Sequence, residues 1–245
     1  MKKLFVLFII SSINTSLFLD CVSAQCDEPF STYTFSALDM SSVNVVKATT
    51  LNGSLTVNGD ANSETVVKMY ISRNGSLTVK LFRRTWTDRT WTEEEIKQHL
   101  AENYVIEVNV IGEELLVAAR QKNNERPQIN ISFQIMVPRQ MNSDLKTTNG
   151  SVQISNLTGS HKLETVNGSL KVANLSGKVN GNTTNGSITV TNSNDDINLS
   201  TVNGSITVTN SSDVINLSTV NGSITETGCS WKINLTTVNG KVKRQ

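Results

Sequence analysis

The sequence predicts an all-β protein, a single-stranded parallel β-helix (a solenoid) with about 18 residues and two short strands in each coil of its C-terminal half. Three observations predict this fold. Asn-Gly recurs every 18 residues from 149-150 to 239-240, apolar and polar residues alternate on both sides of each recurrence, and no room is left for a helix between them. A fixed period is typical of solenoids, in which each repeat buries its apolar side by stacking on its neighbours.

Each repeat contains two segments with a period of two, such as 205–209 and 214–218, and this period indicates a strand with one buried face. Stacking coils 18 residues apart places identical side chains over one another. The predicted inner rows are Ile188, Ile206 and Ile224, then Val190 and Val208, then Ile197, Ile215 and Ile233. These rows favour two parallel sheets in a flattened β-helix, which we expect to be right-handed because parallel crossovers nearly always are.

The turns of the repeat predict two structural sets. Glycine after asparagine is expected to supply the positive φ of a tight corner. These residues are Gly150, Gly168, Gly186, Gly204, Gly222 and Gly240. A second set of asparagines shares the parity of the inward residues and is expected to form a buried ladder that satisfies turn backbone. These residues are Asn156, Asn174, Asn192 and Asn210.

The N-terminal half carries a weaker form of the repeat. "NGSLTVNG" at 52–59 and "NGSLTVK" at 74–80 lie 22 residues apart, and further strand-like runs cover 65–72, 104–110, 114–119 and 129–137. We therefore expect wider coils here. One helical insert is predicted within 83–104, with Thr92 and Glu95 as a capping box and an apolar stripe of Ile96, Leu100 and Tyr104.

The first 24 residues are typical of a secretory signal peptide, with a basic start, an apolar run from 4 to 19 and small residues before Gln25. We expect residues 25–245 to form the solenoid domain, with regular repeats over 147–245. The predicted location is the periplasm, the cell surface or the medium, with no transmembrane span after cleavage. Simple export is favoured over a lipoprotein anchor on Cys21 or Cys26, because Asp20 and Gln25 are unusual neighbours for a lipidated cysteine.

The surviving cysteines, Cys26 and Cys229, are compatible with one disulfide or with two unpaired thiols. The charge is balanced, since removing Lys2, Lys3 and Asp20 from the 22 basic and 21 acidic residues leaves equal numbers. A neutral chain lacks the electrostatic footprint of a nucleic-acid-binding protein.

Catalytic chemistry has little support in the sequence. There is no phosphate loop and no Cys-His metal spacing, so no cofactor and no metal site are expected. Asp195, Asp196 and Asp213 fall at turns, and we interpret the stacked pair Asp195 and Asp213 as solvated turn acids. His99 lies on the helix, and His161 is expected to pack inside a coil. The sequence therefore predicts no catalytic residue and no enzyme.

Two sets of residues are candidates for binding. The first is a stack of Thr-x-Thr pairs on the outer face: Thr189, Thr191, Thr207, Thr209, Thr225 and Thr227. The second is the pair Trp86 and Trp91, which lie among arginines and could stack on sugar rings or contact a protein. Each set also has a structural interpretation, since threonine stacks well in β-sheets and tryptophans commonly pack a loop onto its own domain.

Several segments together resemble the bacterial family of putative adhesins of unknown function. They are the early "NGSLTV", the Val137-Pro138 segment, and coils of the form "T-x-NG-x-I-x-V-x-x-L-x-G" at 147–159 and 165–177. The resemblance implies a β-helical exported protein, and it carries over no catalytic residue. The sequence departs from this pattern in its last three coils, where "NLxG" becomes "NSND", "NSSD" and "TGCS", so differently shaped turns are expected there.

These observations predict a non-enzymatic exported protein that acts as an adhesin or as a structural or interaction protein of the envelope, with a glycan or a cell-envelope protein as partner. The oligomeric state is left open. The alternatives are a polysaccharide-active β-helix enzyme and an ice-binding protein that uses the Thr-x-Thr face. A bacterial host is favoured because the many Asn-x-Ser/Thr triplets would crowd the stack with glycans in a eukaryotic secretory route.

Overall fold

The computed structural model describes residues 28–60, 64–73, 92–123, 129–230 and 232–245. Its first elements are β1 Ser31–Phe35, β2 Val45–Asn52, β3 Leu55–Asp60, β4 Thr65–Arg73, α1 Glu93–Asn103, β5 Tyr104–Ile111, β6 Glu114–Gln121, β7 Ile129–Pro138 and β8 Asn142–Asn149. The following ones are β9 Val152–Ser155, β10 His161–Glu164, β11 Leu170–Ala173, β12 Val179–Thr183, β13 Ile188–Thr191, β14 Ile197–Thr201, β15 Ile206–Thr209, β16 Ile215–Thr219, β17 Ile224–Thr227, β18 Ile233–Thr237 and β19 Val242–Arg244.

The strands form two sheets. Sheet A has ten strands in the order β1-β4-β7-β3-β9-β11-β13-β15-β17-β19, and sheet B has nine in the order β18-β16-β14-β12-β10-β8-β2-β6-β5. From β8 onward the chain alternates between the sheets, and each strand pairs in parallel with the strand two positions later. A nearly all-β chain with two long sheets rich in parallel strands is what a β-solenoid requires.

The predicted inner rows are confirmed. Ile188 pairs with Ile206 and Ile206 with Ile224, while Ile197 pairs with Ile215 in sheet B. These five isoleucines have no exposed surface. Ile233, which pairs with Ile215 and ends the second row, is half-buried. Parallel pairing in strict register keeps the apolar residues of every coil on the same side, because a shift of one residue would turn them all outward.

The N-terminal half differs from the predicted series of wider parallel coils. β1 pairs with β4 and β4 with β7 in antiparallel fashion, and β5 and β6 form an antiparallel hairpin across Gly112 and Glu113. Gly112 has a φ of +61°, as the tight turn of a two-residue hairpin requires. The prediction is therefore wrong for these strands, although β2 and β3 do continue the parallel stack onto β8 and β9.

The helix begins and ends close to the prediction. The Thr92 hydroxyl accepts from the Glu95 amide at 3.2 Å, and the Glu95 carboxylate accepts from the Thr92 amide at 2.9 Å, which confirms the capping box. Leu100 and Tyr104 are buried, so the predicted apolar stripe faces the protein. Residues 74–91, which include "NGSLTVK", Trp86 and Trp91, lie outside the described residues.

The corner glycines do not have the predicted positive φ. Positive φ occurs instead at other glycines, such as Gly159 and Gly177. A Cβ atom on Gly204 would lie 2.0 Å from the carbonyl oxygen of Gly186 in the preceding coil, far inside contact distance. The same clash, at 1.9 to 2.0 Å, would occur at Gly150, Gly168, Gly186, Gly222 and Gly240. Glycine is thus required here because successive backbones approach too closely for any side chain.

A buried column of threonines supports these corners. The Thr201 hydroxyl donates to the carbonyl oxygen of Gly186 at 2.9 Å, and only 4% of Thr201 is exposed. The equivalent bonds run at 2.8 to 2.9 Å from Thr165, Thr183, Thr219 and Thr237 to Gly150, Gly168, Gly204 and Gly222. Each hydroxyl satisfies a corner carbonyl that the parallel ladder leaves unpaired.

Replacing Thr201 with valine is expected to lower the free energy of unfolding by about 2 kcal/mol, because valine fills the same space and leaves the Gly186 carbonyl without its donor. Urea unfolding measures this change. Thr207→Val is the matched control, since Thr207 lies on the exposed outer face. Its effect should stay within about 0.5 kcal/mol. Equal effects of the two substitutions would contradict the role of the buried hydroxyl.

Two of the last three coils, those with Asp195 and Asp213, have differently shaped turns, as their sequence indicates; the equivalent position of the third, 231, lies outside the described residues. Where Gly159 and Gly177 have φ values of 132° and 126°, the equivalent Asp195 and Asp213 have values of 82° and 75°. The buried Leu175 of the earlier turn is replaced by Ser193, whose hydroxyl donates to the Thr191 carbonyl at 3.0 Å. A small polar residue is tolerated inside the turn because a backbone acceptor is close by.

Candidate binding faces

The outer face of sheet A contains the six threonines singled out in the sequence, and we call this surface the threonine face: Thr189, Thr191, Thr207, Thr209, Thr225 and Thr227. Thr189, Thr207 and Thr225 form one row in register, and the other three form a second. Neighbouring strands lie about 4.8 Å apart in such a sheet. Thr189 and Thr207 are exposed, and the other four are half-buried. The predicted array therefore exists as two rows in register on one face of sheet A.

The outer face of sheet B carries a row of asparagines, and we call this surface the asparagine face: Asn180, Asn198, Asn216 and Asn234. The Asn216 amide donates to Asn198 Oδ1 at 2.7 Å, and the Asn234 amide donates to Asn216 Oδ1 at 2.7 Å. A second row beside it holds Asn182, Ser200, Ser218 and Thr236. Sequence reasoning missed this face, although the recurring Ile-Asn-Leu at 197, 215 and 233 signals it.

The asparagines of the Asn-Gly corners form another column, which we call the corner ladder: Asn52, Asn149, Asn167, Asn185, Asn203, Asn221 and Asn239. From Asn149 onward, each side-chain amide donates to the side-chain oxygen of the asparagine one coil below, at 2.6 to 2.8 Å. From Asn149 onward these asparagines are solvent-exposed. The corner ladder thus fixes the orientation of a long column of side chains at the surface.

The second predicted ladder exists in part, but its position differs from the prediction. Asn174 donates to Asn156 at 3.0 Å and Asn192 donates to Asn174 at 3.3 Å, while Asn174, Asn192 and Asn210 are solvent-exposed and Asn156 is half-buried. The four residues have φ values of 48° to 57°. The alternation of inward and outward side chains holds only for extended backbone, so a left-handed residue at the strand end points outward against its parity.

Several charged residues on or beside the outer face of sheet B are paired. Glu164 binds Lys162 at 3.0 Å and Lys146 at 3.3 Å, and the Lys162 bond is the main cause that lowers the pKa of the Glu164 carboxyl. Lys178 binds Asp196 at 3.4 Å. The Asp213 carboxylate accepts from the Asp195 amide at 3.2 Å, so it caps a turn in the neighbouring coil. The described residues contain no group of three or more potential metal ligands.

His161 lies inside the stack, as predicted, in register with Val179. It is 1% exposed, its Nδ1 lies 3.1 Å from Ser143 Oγ, and its Nε2 has no hydrogen-bond partner. Burial lowers the pKa of this imidazole from 6.5 to about 4. A serine beside a histidine can act as a nucleophile and its base, but Ser143 is only 3% exposed, so both groups face the core.

No protein-family model and no curated protein matches the chain. Among solved structures, it is similar to a putative adhesin from Bacteroides fragilis, with 15% identity, a TM-score of 0.49, and coverage of 87% of this chain and 96% of that one. It is also similar to a putative cell adhesion protein from Clostridium sporogenes, with 10% identity, a TM-score of 0.34, and coverage of 88% and 98%.

A third similar structure is a putative adhesin from Parabacteroides merdae, with 11% identity, a TM-score of 0.27, and coverage of 88% of this chain and 95% of that one. Within the described part of the chain, no helix is long and apolar enough to cross a membrane.

Proposed function

We propose that the protein is a non-enzymatic, exported bacterial adhesin that binds an uncharged, hydroxyl-rich glycan through the outer face of one sheet in its C-terminal coils. The observation that carries this proposal is the strict register of uncharged hydroxyl and amide rows on both sheets. A rigid array with a constant spacing presents many equivalent weak contacts to a repeating ligand, and such contacts add up through multivalency.

The ligand class follows from the groups on these faces. Threonine hydroxyls donate and accept hydrogen bonds. Asn216, which donates to Asn198 and accepts from Asn234, keeps one N–H and part of its oxygen free. Because Asn198 and Asn216 are already held by hydrogen bonds of 2.7 Å, a ligand would lose little side-chain entropy on binding. Between Lys171 and Lys243, the threonine rows carry no charge. These features favour a neutral glycan over an ionic partner.

A glycan array tests the proposal with variants that place one charge on each face. Thr207→Lys places a lysine where the coil two positions earlier has Lys171. Asn216→Lys places a lysine where the coil three positions earlier has Lys162. Both substitutions therefore have a precedent in the same fold. We expect at least tenfold weaker binding from the variant on the binding face, and unchanged binding from the other.

Val202→Lys is the matched control. Val202 is 40% exposed at a corner, so this substitution adds the same charge away from both faces. Replacing Trp86 and Trp91 with alanine separates binding by these tryptophans from binding by the faces. Wild-type binding in both face variants, or loss of binding only in the tryptophan variant, would contradict the proposal. Failure of the unmodified protein to bind any neutral glycan would also overturn it.

A further inference from the structure

Every rung of the corner ladder is an asparagine followed by glycine, and this pair is chemically reactive. The backbone nitrogen of the glycine attacks Cγ of the asparagine, a C–N bond forms, and the Cγ–Nδ2 bond breaks. Ammonia leaves with the proton from the glycine nitrogen, and a cyclic imide is left behind. Water then opens the ring to aspartate or isoaspartate. Glycine makes the pair reactive because it has no side chain to hinder the approach.

The corner ladder opposes this reaction at its inner rungs. Asn203 donates to Asn185 Oδ1 at 2.8 Å and accepts from Asn221 Nδ2 at 2.8 Å, so both polar atoms of its amide are engaged. Ring closure requires Cγ to rotate toward the glycine nitrogen, and this rotation breaks both bonds. The same two bonds hold Asn167, Asn185 and Asn221. A fixed amide therefore reacts slowly even though it is exposed to water.

Asn239 is held less firmly than the rungs below it. Its amide donates to Asn221 Oδ1 at 2.8 Å, but no residue of the described chain donates to its own Oδ1. Asn239 and Gly240 are both solvent-exposed. We infer that, in this chain of 245 residues, Asn239 is a site of spontaneous deamidation, and that the corner ladder protects the asparagines from Asn167 to Asn221 from the same modification. This inference does not depend on the proposed function.

The reaction would weaken the rung that it modifies. An aspartate at 239 has no amide hydrogen to donate to Asn221, so the last bond of the ladder is lost. An isoaspartate also adds a carbon to the backbone, directly before Gly240, where a Cβ would already lie 1.9 Å from the Gly222 carbonyl oxygen. The modification therefore introduces a charge and displaces the corner of its coil.

Peptide mapping by mass spectrometry after incubation of the folded protein in mildly alkaline buffer measures the rate at each corner. Asn239 is expected to deamidate at least about fivefold faster than Asn203, the factor that corresponds to one hydrogen bond of ordinary net strength. In concentrated urea the difference should disappear, because the ladder is absent from the unfolded chain. Equal rates at Asn167, Asn203 and Asn239 in the folded protein would overturn the inference.

Fraying of the last coil would also make Asn239 react fast, and Asn221→Asp separates the two causes. Aspartate can still accept from Asn239 but cannot donate to Asn203. We therefore expect faster deamidation at Asn203 with little change at Asn239. Asn216→Asp is the matched control on the asparagine face, and it should leave Asn203 unchanged. If Asn203 deamidates at its original rate in Asn221→Asp, the ladder does not protect it.

A second variant, Asn203→Gln/Asn221→Ser, removes the acceptor of Asn239. Deamidation at Asn239 should therefore be faster in this variant than in the unmodified protein.

Discussion

Replacing Gly204 with alanine is expected to lower the free energy of unfolding by about 3 kcal/mol, at the upper end of overpacking effects. The added Cβ would lie 2.0 Å from the Gly186 carbonyl oxygen and 2.5 Å from its carbonyl carbon. Both atoms belong to the backbone, so the clash is relieved only if two coils move apart. That movement would lengthen the bond from Thr201 to the Gly186 carbonyl and separate Asn203 from Asn185. Urea unfolding of the two proteins gives the difference.

Gly112→Ala is the matched control for this experiment. Gly112 has a φ of +61°, and a Cβ there meets nothing within 4 Å, so the substitution costs only the strain of a left-handed alanine, about 1 kcal/mol. The two substitutions add the same methyl group. Glycine is present at 112 because of its positive φ, and at 204 because the neighbouring coil lies too close for a side chain. A larger loss of stability at Gly112 than at Gly204 would show that backbone conformation, and not close approach, governs the corners.

Acidification from pH 6.5 to pH 4 is expected to remove about 3 kcal/mol of stability through His161. In the unfolded chain the imidazole has the ordinary pKa of 6.5, and in the folded protein its pKa is about 4. Between these values the unfolded state binds a proton that the folded state does not, so stability falls as the pH falls. The difference of 2.5 between the pKa values, at 1.36 kcal/mol for each unit, gives this magnitude. Urea unfolding at a series of pH values measures it.

The double substitution His161→Val/Ser143→Ala is the control. Valine is already present at the equivalent position of the next coil, Val179, and removing the Ser143 hydroxyl avoids a buried group without its partner. The double variant should lose most of the pH dependence between 6.5 and 4. From the ordinary carboxyl pKa of 4.5 downward, loss of the Glu164 charge adds a separate decline, because the pKa of that carboxyl is lowered in the folded state. An unchanged slope in the double variant would assign the effect to other groups.

The sequence determined the regular part of the fold in detail. The registers of Ile188 with Ile206 and of Ile197 with Ile215 follow from an 18-residue period combined with alternation, since both rules must hold in the same coil. The threonine face follows from the same two rules. The capping box of Thr92 and Glu95 was predictable because it depends on four consecutive residues and on nothing else in the molecule.

Other features depend on parts of the chain that are distant in sequence. β4 lies between β1 and β7 in antiparallel pairing, and no local pattern distinguishes that partner choice from a parallel one. Glycine meets two different needs, positive φ at Gly177 and close approach at Gly204, and only the position of the neighbouring coil separates them. The alternation of inward and outward residues predicted that Asn174 lies inside the stack, because this alternation assumes an extended backbone. Asn174 is left-handed and exposed instead.

The sequence by itself therefore determined which residues stack on which, and it indicated a repeating neutral surface. Only the tertiary structure decided how close successive coils lie, which sheet edges pair antiparallel, and which asparagines face the solvent. The physical reason is that a period and an alternation constrain side chains along one chain. The distance between neighbouring backbones is instead set by packing against the neighbouring coil, and so is the place of each left-handed turn.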